Sequence, residues 1–509
     1  MRIQQKISMI SLLLLSMSNL AAQTIFQPFP ALKNAIHLED VTIDPPYSTS
    51  IAYEMALHAD GTRYIVGQVR GDVDFDPGPG ELIYSDDWGD PYIAIYPPNG
   101  DPIVHQFFND QGGTGAEMTQ VQIDDAGNAY VLGEFDADLL VVGDGLADLV
   151  GTFDTPFLAK INPMGVVQWA FSLPDSPSSP EINAMTVNEN RIVIGGKLSS
   201  AGADFDPDPV QVAFAAGGAA GGRDPFIASY SLAGDFIWVR VMEQLVVGQS
   251  NDGVEDLLLI DNDQLLVAGA FNSNTDFDAS AGSLILSSEH TDAFIAHYDG
   301  DGFPVWAKQM GGVGNARAFA LSIATDGSMI TVAGNIIGEI DFDPDPMGTE
   351  LISSVPANSN DYYIAGYTNT GELQWVNLID GSGTFTWGSL STSAAGISVL
   401  GGTGADFGGG QIDFDPGPLN SGNTPGGFLA LYAADGSYID AHSFDDVPNV
   451  YISDVLWDGV STIHASGRFL EIFDVDPSAN TTTLNPTTPF GHEIFFAAWS
   501  DVVFKNGFE

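Results

Sequence analysis

Apolar and polar positions alternate along most of the chain in short runs, each broken by Gly, Asp, Asn or Pro. One such run is Ala129-Tyr130-Val131-Leu132-Gly133, which follows the turn Asp125-Ala126-Gly127-Asn128. Another is Phe294-Ile295-Ala296-His297-Tyr298. Short period-two runs bounded by turn residues predict β-strands, and no long helical periodicity interrupts them.

The runs recur in a fixed order. Asp-Phe-Asp stands at 74–76, 204–206, 276–278, 341–343 and 413–415, and Asp474-Val475-Asp476 is a conservative sixth copy. A second marker is an apolar stretch with a fixed Ala: Tyr92–Tyr96, Phe157–Ile161, Phe226–Tyr230, Phe294–Tyr298, Tyr363–Tyr367, Phe428–Tyr432 and Phe495–Trp499. It has seven copies. The unit without Asp-Phe-Asp has Phe135 to Gly151 in its place. A third marker, Gly-x-x-x-Trp, follows as Gly165…Trp169, Gly234…Trp238, Gly302…Trp306 and Gly371…Trp375, while Gly100 and Gly436 keep only the Gly. The mean unit of about 67 residues is long enough for several strands and longer than the usual solenoid coil.

Each unit reads as four strands, and seven units predict an all-β, seven-bladed β-propeller of four-stranded antiparallel blades. The blades span about 49–110, 111–174, 175–243, 244–310, 311–379, 380–443 and 444–509. The last lacks room for its outer strand. Trp306 lies 20 residues before Asp326, and the same count back from Asp60 reaches Asp40. Ala35 to Ile43, inside an N-terminal segment 24–48, is therefore expected to supply that strand and close the ring, hiding open sheet edges.

The markers Gly127-Asn128-Ala129-Tyr130, Asp74-Phe75-Asp76-Pro77-Gly78-Pro79-Gly80 and Asp292-Ala293-Phe294-Ile295-Ala296-His297-Tyr298 resemble those of the bacterial seven-bladed β-propeller repeat family of exported proteins. The resemblance covers about 49 to 500. It implies the fold and a secreted or surface-associated binding or scaffold role, and it supplies no catalytic residues.

The start of the chain agrees with export. Arg2 and Lys6 precede the apolar Ile7 to Leu15 and the small or polar Ser16 to Ala22. This is the pattern of a signal peptide over 1–22, with cleavage near Ala21 to Gln23. The expected location is periplasmic, cell-surface or extracellular.

Charge narrows the partners. The formal net charge is −53, with 14 Lys plus Arg against 51 Asp and 16 Glu. The excess of Asp over Glu suits turns rather than helices. So few basic residues argue against nucleic acid, and no other apolar run argues for membrane insertion. A monomer is expected. Zero cysteine removes disulfides, thiolate nucleophiles and Cys-based metal sites.

The acids fall at spacing two, which in an extended chain points them the same way. The groups are Asp72, Asp74 and Asp76; Asp204, Asp206 and Asp208; Asp276 and Asp278; Asp341, Asp343 and Asp345; Asp413 and Asp415; Asp474 and Asp476. Two readings are open. Neighbouring carboxylates could share Ca²⁺, although the twelfth position from Asp72 is Ile83 and from Asp341 is Ile352, so no EF-hand is present. Alternatively each Asp caps a turn by accepting backbone N–H groups, with the Phe facing the core; this reading is favoured.

Other chemistry is sparse. Gly-x-x-x-Trp is one residue longer than a sialidase Asp-box. It matches the docking spacing of quinoprotein dehydrogenases, as in Ala365…Gly371…Trp375, but seven units and no cysteine pair depart from that family; packing between blades is the expected role. His58, His105, His290, His297, His442, His464 and His492 are scattered, as are the eight arginines. Glu54, Glu117 and Glu181 open the first strands of their units and are expected to face the central channel, where a carboxylate pair would be the one route to glycoside hydrolysis. The expected function is a non-enzymatic binding or scaffold propeller for a protein or glycan, and the alternative is a carbohydrate-active hydrolase or lyase.

Overall fold

The computed structural model describes residues 31–40 and 50–500, apart from 110–114, 137–138, 152–153, 174–179, 200, 209, 218–221, 246–252, 324–326, 346, 355–359, 382–383, 406–411, 416–425, 445–448, 459–461, 477–481 and 487–491. The expected leader 1–22 and the tail from Phe504 lie outside these residues. Apart from one short 3-10 turn at Asp261–Asp263, the described elements are β-strands, and none is a helix long and apolar enough to cross a membrane. Antiparallel meanders stand side by side in a propeller-like arrangement.

Unit one folds as Ile51–Leu57, Arg63–Asp74, Ile83–Tyr96 and Ile103–Gln106, each strand paired antiparallel with the next. Unit five repeats this as Asn315–Ile323, Met329–Ile337, Asp361–Thr368 and Leu373–Gly381. The last unit has Val450–Trp457, Thr462–Phe469 and Glu493–Ser500. Its third strand pairs antiparallel with the N-terminal strand Ala31–Asp40, from Ala31↔Ser500 to Leu38↔Ile494.

That N-terminal strand has the habits of an outer strand. The outer strands of units two to six share a register break near their start, at Gln168, Ile237, Val305, Gln374 and Ile439, and Lys33 sits at the same break between Leu32 and Asn34. Outer strands also run on to pair with the Asp-Phe-Asp hairpin of the following unit: Glu243↔Asp276, Gly311↔Asp341 and Asp380↔Asp413. Glu39↔Asp74 does the same from the N-terminal strand. Asn34, rather than the expected Asp40, occupies the Trp position, 26 residues before Asp60. The spacing count missed this because the connection into unit one is longer than the others.

The Asp-Phe-Asp marker is a folding device. The leading carboxylate Oδ1 accepts the N–H two residues on and a second N–H across the loop. In unit one these come from Asp76 (2.9 Å) and Leu82 (2.8 Å) onto Asp74. The same pairs are Asp206 and Ala213 onto Asp204, Asp278 and Leu284 onto Asp276, Asp343 and Glu350 onto Asp341, and Asp476 and Thr482 onto Asp474. The intervening Phe75, Phe205, Phe277, Phe342 and Phe414 are buried. Each carbonyl accepts from the Tyr that ends the Ala-marked strand, such as Tyr96 to Phe75 (3.2 Å) and Tyr230 to Phe205 (2.9 Å), with Trp499 serving Val475 (3.0 Å). In unit two the ladder position equivalent to the leading Asp is Val141, paired with Phe108, and buried Val142 follows it.

Trp and Gly markers join neighbouring units. The Trp169 indole N–H donates to the Leu232 carbonyl (3.3 Å), that of Trp238 to Gly300 (3.3 Å) and that of Trp375 to Ala434 (3.0 Å). A Cβ at Gly234, Gly302 or Gly436 would meet the rings of Trp169, Trp238 and Trp375. These glycines also hold φ of 90°, 75° and 80°, which a side chain resists. The Trp expected to pack between blades does so.

Because the N-terminal strand covers an otherwise open edge of the last unit, removing residues 31–40 is expected to lower the melting temperature by many degrees and to broaden the transition. Thermal unfolding followed by circular dichroism tests this, with unchanged melting as the contrary result.

Candidate functional site

The first strand of every unit lies innermost and contacts the first strands on either side, including Val450–Trp457 against Ile51–Leu57. Each carries a register break near its start: at Tyr53, Thr119, Asn183, Glu255, Phe319 and Ser453, and between Trp387 and Leu390. A bulge re-aims side chains and interrupts the ladder. Here the residues after the break reach sideways. Asp454 Oδ2 accepts the Met55 N–H (3.0 Å), Glu54 Oε2 that of Val121 (3.0 Å) and Asp256 Oδ2 that of Leu321 (2.6 Å). Gln120 Nε2 donates to the Asn183 carbonyl (2.7 Å), and Thr186 Oγ1 accepts the Leu259 N–H (3.1 Å).

These latch acids are hard to ionise. Burial, then Asp454, holds Glu54 well above the ordinary carboxylate range. Burial pushes Asp256 up to about 7 and Asp454 up to about 6, against the N–H groups they accept. Glu54, expected to line a channel as a free acid, is engaged in joining units one and two.

At the N-terminal ends of the inner strands a second layer gathers charges of both signs. The Tyr53 hydroxyl donates to Glu117. Glu117 lies opposite Glu134 in register, Glu181 opposite Lys197, and Tyr451 opposite Arg468. Lys197 Nζ is 2.8 Å from Glu181 and 3.9 Å from Glu255, and Arg317 is 3.8 Å from Glu255. Arg223 pairs with Glu181. Lys197 lies over Gly253, where a Cβ would collide with its stem. Burial works to raise Glu181, but Lys197 and Arg223 outweigh it and leave it below its ordinary value. Glu117 is raised by burial. Glu134 is pushed up to about 7, by lost solvation first and then by Glu117, Asp154, Glu181 and Asp136. The group can hold a polar ligand by charge and hydrogen bonds, with Glu134 able to exchange a proton near neutrality.

The sequence-predicted acids stand elsewhere, in the Asp-Phe-Asp hairpins of every unit but the second. Asp72 belongs to the strand Arg63–Asp74, paired with Ser85. Past the leading Asp of each hairpin, Asp76, Asp206, Asp278 and Asp343 accept the N–H groups of Gly78, Asp208, Ser280 and Asp345. Asp208 and Asp345 do the same for Val210 and Met347. Asp413 accepts from Asp415 (3.2 Å). Among the described residues no three His, Cys, Asp or Glu side chains gather as a metal site, and capping accounts for the spacing of the acids. The mixed-charge group of Glu134, Lys197, Arg223, Glu255 and Arg317 was not visible in sequence, where arginines read as scattered.

No family model matches the chain. A curated relative, the regulatory protein FlaEY of Caulobacter vibrioides, is 26% identical over 213 residues, 40% of this chain and 21% of its own length. The chain thus spans about a fifth of that relative. Among solved structures, the quinohemoprotein alcohol dehydrogenase ADHIIG of Pseudomonas putida HK5 is similar at 9% identity and TM-score 0.38, over 91% of this chain and 77% of its own. A PL25 ulvan lyase is similar at 10% and 0.37, over 71% and 81%. A protein of unknown function from Dyadobacter fermentans gives 9% and 0.36, over 91% and 99%. At these scores no likeness bears on activity.

The latch acids set a pH dependence. Their folded-state pKa values lie above the unfolded values, so the folded chain holds more protons between about pH 4 and 7, and stability falls as pH rises through that window. Melting is expected to be higher at pH 5 than at pH 8, with a shallower slope in Asp256→Asn, which keeps an acceptor for Leu321. Calcium and chelator are expected to leave melting unchanged, while Asp276→Ala, which strands two N–H groups, is expected to cost about 1–3 kcal/mol in denaturant unfolding.

Proposed function

We propose that the chain is an exported seven-bladed propeller, closed by its N-terminal strand, that acts without catalysis as a binding or scaffold protein. It recognises a protein or a glycan through the face at the N-terminal ends of its inner strands. It works as a monomer, without nucleic acid and without inserting in a membrane. One observation carries this reading: the repeated markers serve the fold wherever they occur, whereas Glu117, Glu134, Glu181, Lys197, Arg223, Glu255 and Arg317 do not recur through the units and converge at one end. Most of them are already neutralised by a partner, as Glu181 is by Lys197 and Arg223. Such a surface is preorganised for recognition and poorly suited to moving protons. The leader-like start supports export, and the charge of −53 supports a soluble surface that repels polyanions.

A second reading has its own support. Glu134, pushed up to about 7 beside Glu117 and its Tyr53 partner, is a fitting general acid for a carbohydrate-active hydrolase or lyase.

A polysaccharide and protein-partner binding screen, run with reducing-end and unsaturated-product assays, separates the two. Binding without product, weakened about tenfold or more in Arg317→Ala, is the expected outcome. Product that disappears in Glu134→Gln would overturn it.

A further inference from the structure

The opposite ends of the inner strands hold a cavity of about 640 Å³ where the last unit meets units one and two. Its size falls in the range of small-molecule clefts, about 300–1,000 Å³. The chain has 14 Lys and Arg in 509 residues, and two of them, Lys33 and Arg63, line this one cavity together with His58 and His464. Their convergence is electrostatic as well as spatial. His464 is pushed down to about 4, by burial first, then by Arg63, with Lys33 adding to the effect and Asp458 opposing it. It therefore stands neutral beside two cations, a donor–acceptor group rather than a third charge. His58 is raised by its hydrogen bond to Asp60 (2.9 Å) and by the Asp125 carbonyl.

The rest of the lining divides by chemistry. Met55, Ile123 and Leu456 are apolar, and Trp457 adds a half-buried indole. Gln122 and Asp458 add hydrogen-bonding groups, and Asp458 also accepts the Thr462 N–H (2.9 Å). A guanidinium and an ammonium together suit one carboxylate. An indole with aliphatic neighbours suits the apolar face of a ring, and the neutral imidazole, amide and single acid suit hydroxyls. The surrounding negative charge disfavours long polyanions, whose remaining charges would lie outside the cavity.

We infer that this cavity binds a small saccharide carrying one carboxylate, of the uronic-acid class. The site lies at the other end of the inner strands from the proposed recognition face and does not depend on that reading.

Isothermal titration of the full chain with glucuronate, glucose and acetate tests this. Glucuronate is expected to bind, with glucose and acetate at least tenfold weaker. Lys33→Gln, at an exposed position, is expected to weaken glucuronate roughly threefold or more with unchanged melting, and Arg63→Gln to weaken it about tenfold or more. Absence of glucuronate binding, equal binding of glucose or acetate, or an affinity untouched in Lys33→Gln would each overturn the inference. Should Arg63→Gln fail to fold, the Lys33 variant decides.

Discussion

Inner strands that meet side by side without a backbone ladder leave a row of N–H and C=O groups facing one another. Buried groups of that kind must find partners. Here the partners are side chains from the neighbouring unit, aimed by a bulge at the same place in each inner strand. Asp454, Glu54 and Asp256 each take one N–H from the next unit, and Gln120 and Thr186 serve where the acid is missing. The outer rim is joined differently, by Trp rings against turn glycines and by outer strands that extend onto the next hairpin. Between these two seams lie the apolar layers, such as Val399, Leu429, Val455 and Phe495 between the last two units.

How much of this was legible in the chain follows from repetition. A residue that performs the same structural task in each unit reappears at the same spacing, so Asp-Phe-Asp, Ala-marked strands and Gly-x-x-x-Trp could be read directly, and with them the propeller-like arrangement. The N-terminal strand was legible as a missing piece but displaced by six positions, because loop length is free to vary where no marker repeats. The charged layer obeys the opposite logic. Gln68, Glu134, Lys197, Asn335, Thr403 and Arg468 each follow a Gly of their second strands, and between them they mix amides, an acid, cations and a hydroxyl. Their signal is variation at a fixed position, which only an alignment of the units against one another would have exposed.

Acidic charge also divides by place. Hairpin aspartates cap loops by accepting backbone N–H groups. The latch acids sit where ionisation is costly and are the fewer by far. Fifteen of the 67 Asp and Glu stand in or beside the hairpins, whereas burial raises the pKa of the inner-strand carboxylates Glu54, Asp256 and Asp454. The cations are so few that the two places where they gather, around Glu181 and in the cavity beside Lys33, stand out from the acidic whole.

Ala31 and Ser500 pair across nearly the full length of the chain. Among the described strands the first in sequence pairs with the last. Before that pairing forms, Ala31–Asp40 lacks its partner and Glu493–Ser500 has one open edge. Long-range pairing of this kind raises contact order and slows the final step of folding, and it leaves an exposed strand in the interval, the condition under which chains associate edge to edge. The pairing of Ala31–Asp40 with Glu493–Ser500 is thus a contact between strands more than 450 residues apart, formed only when the two ends of the described chain meet.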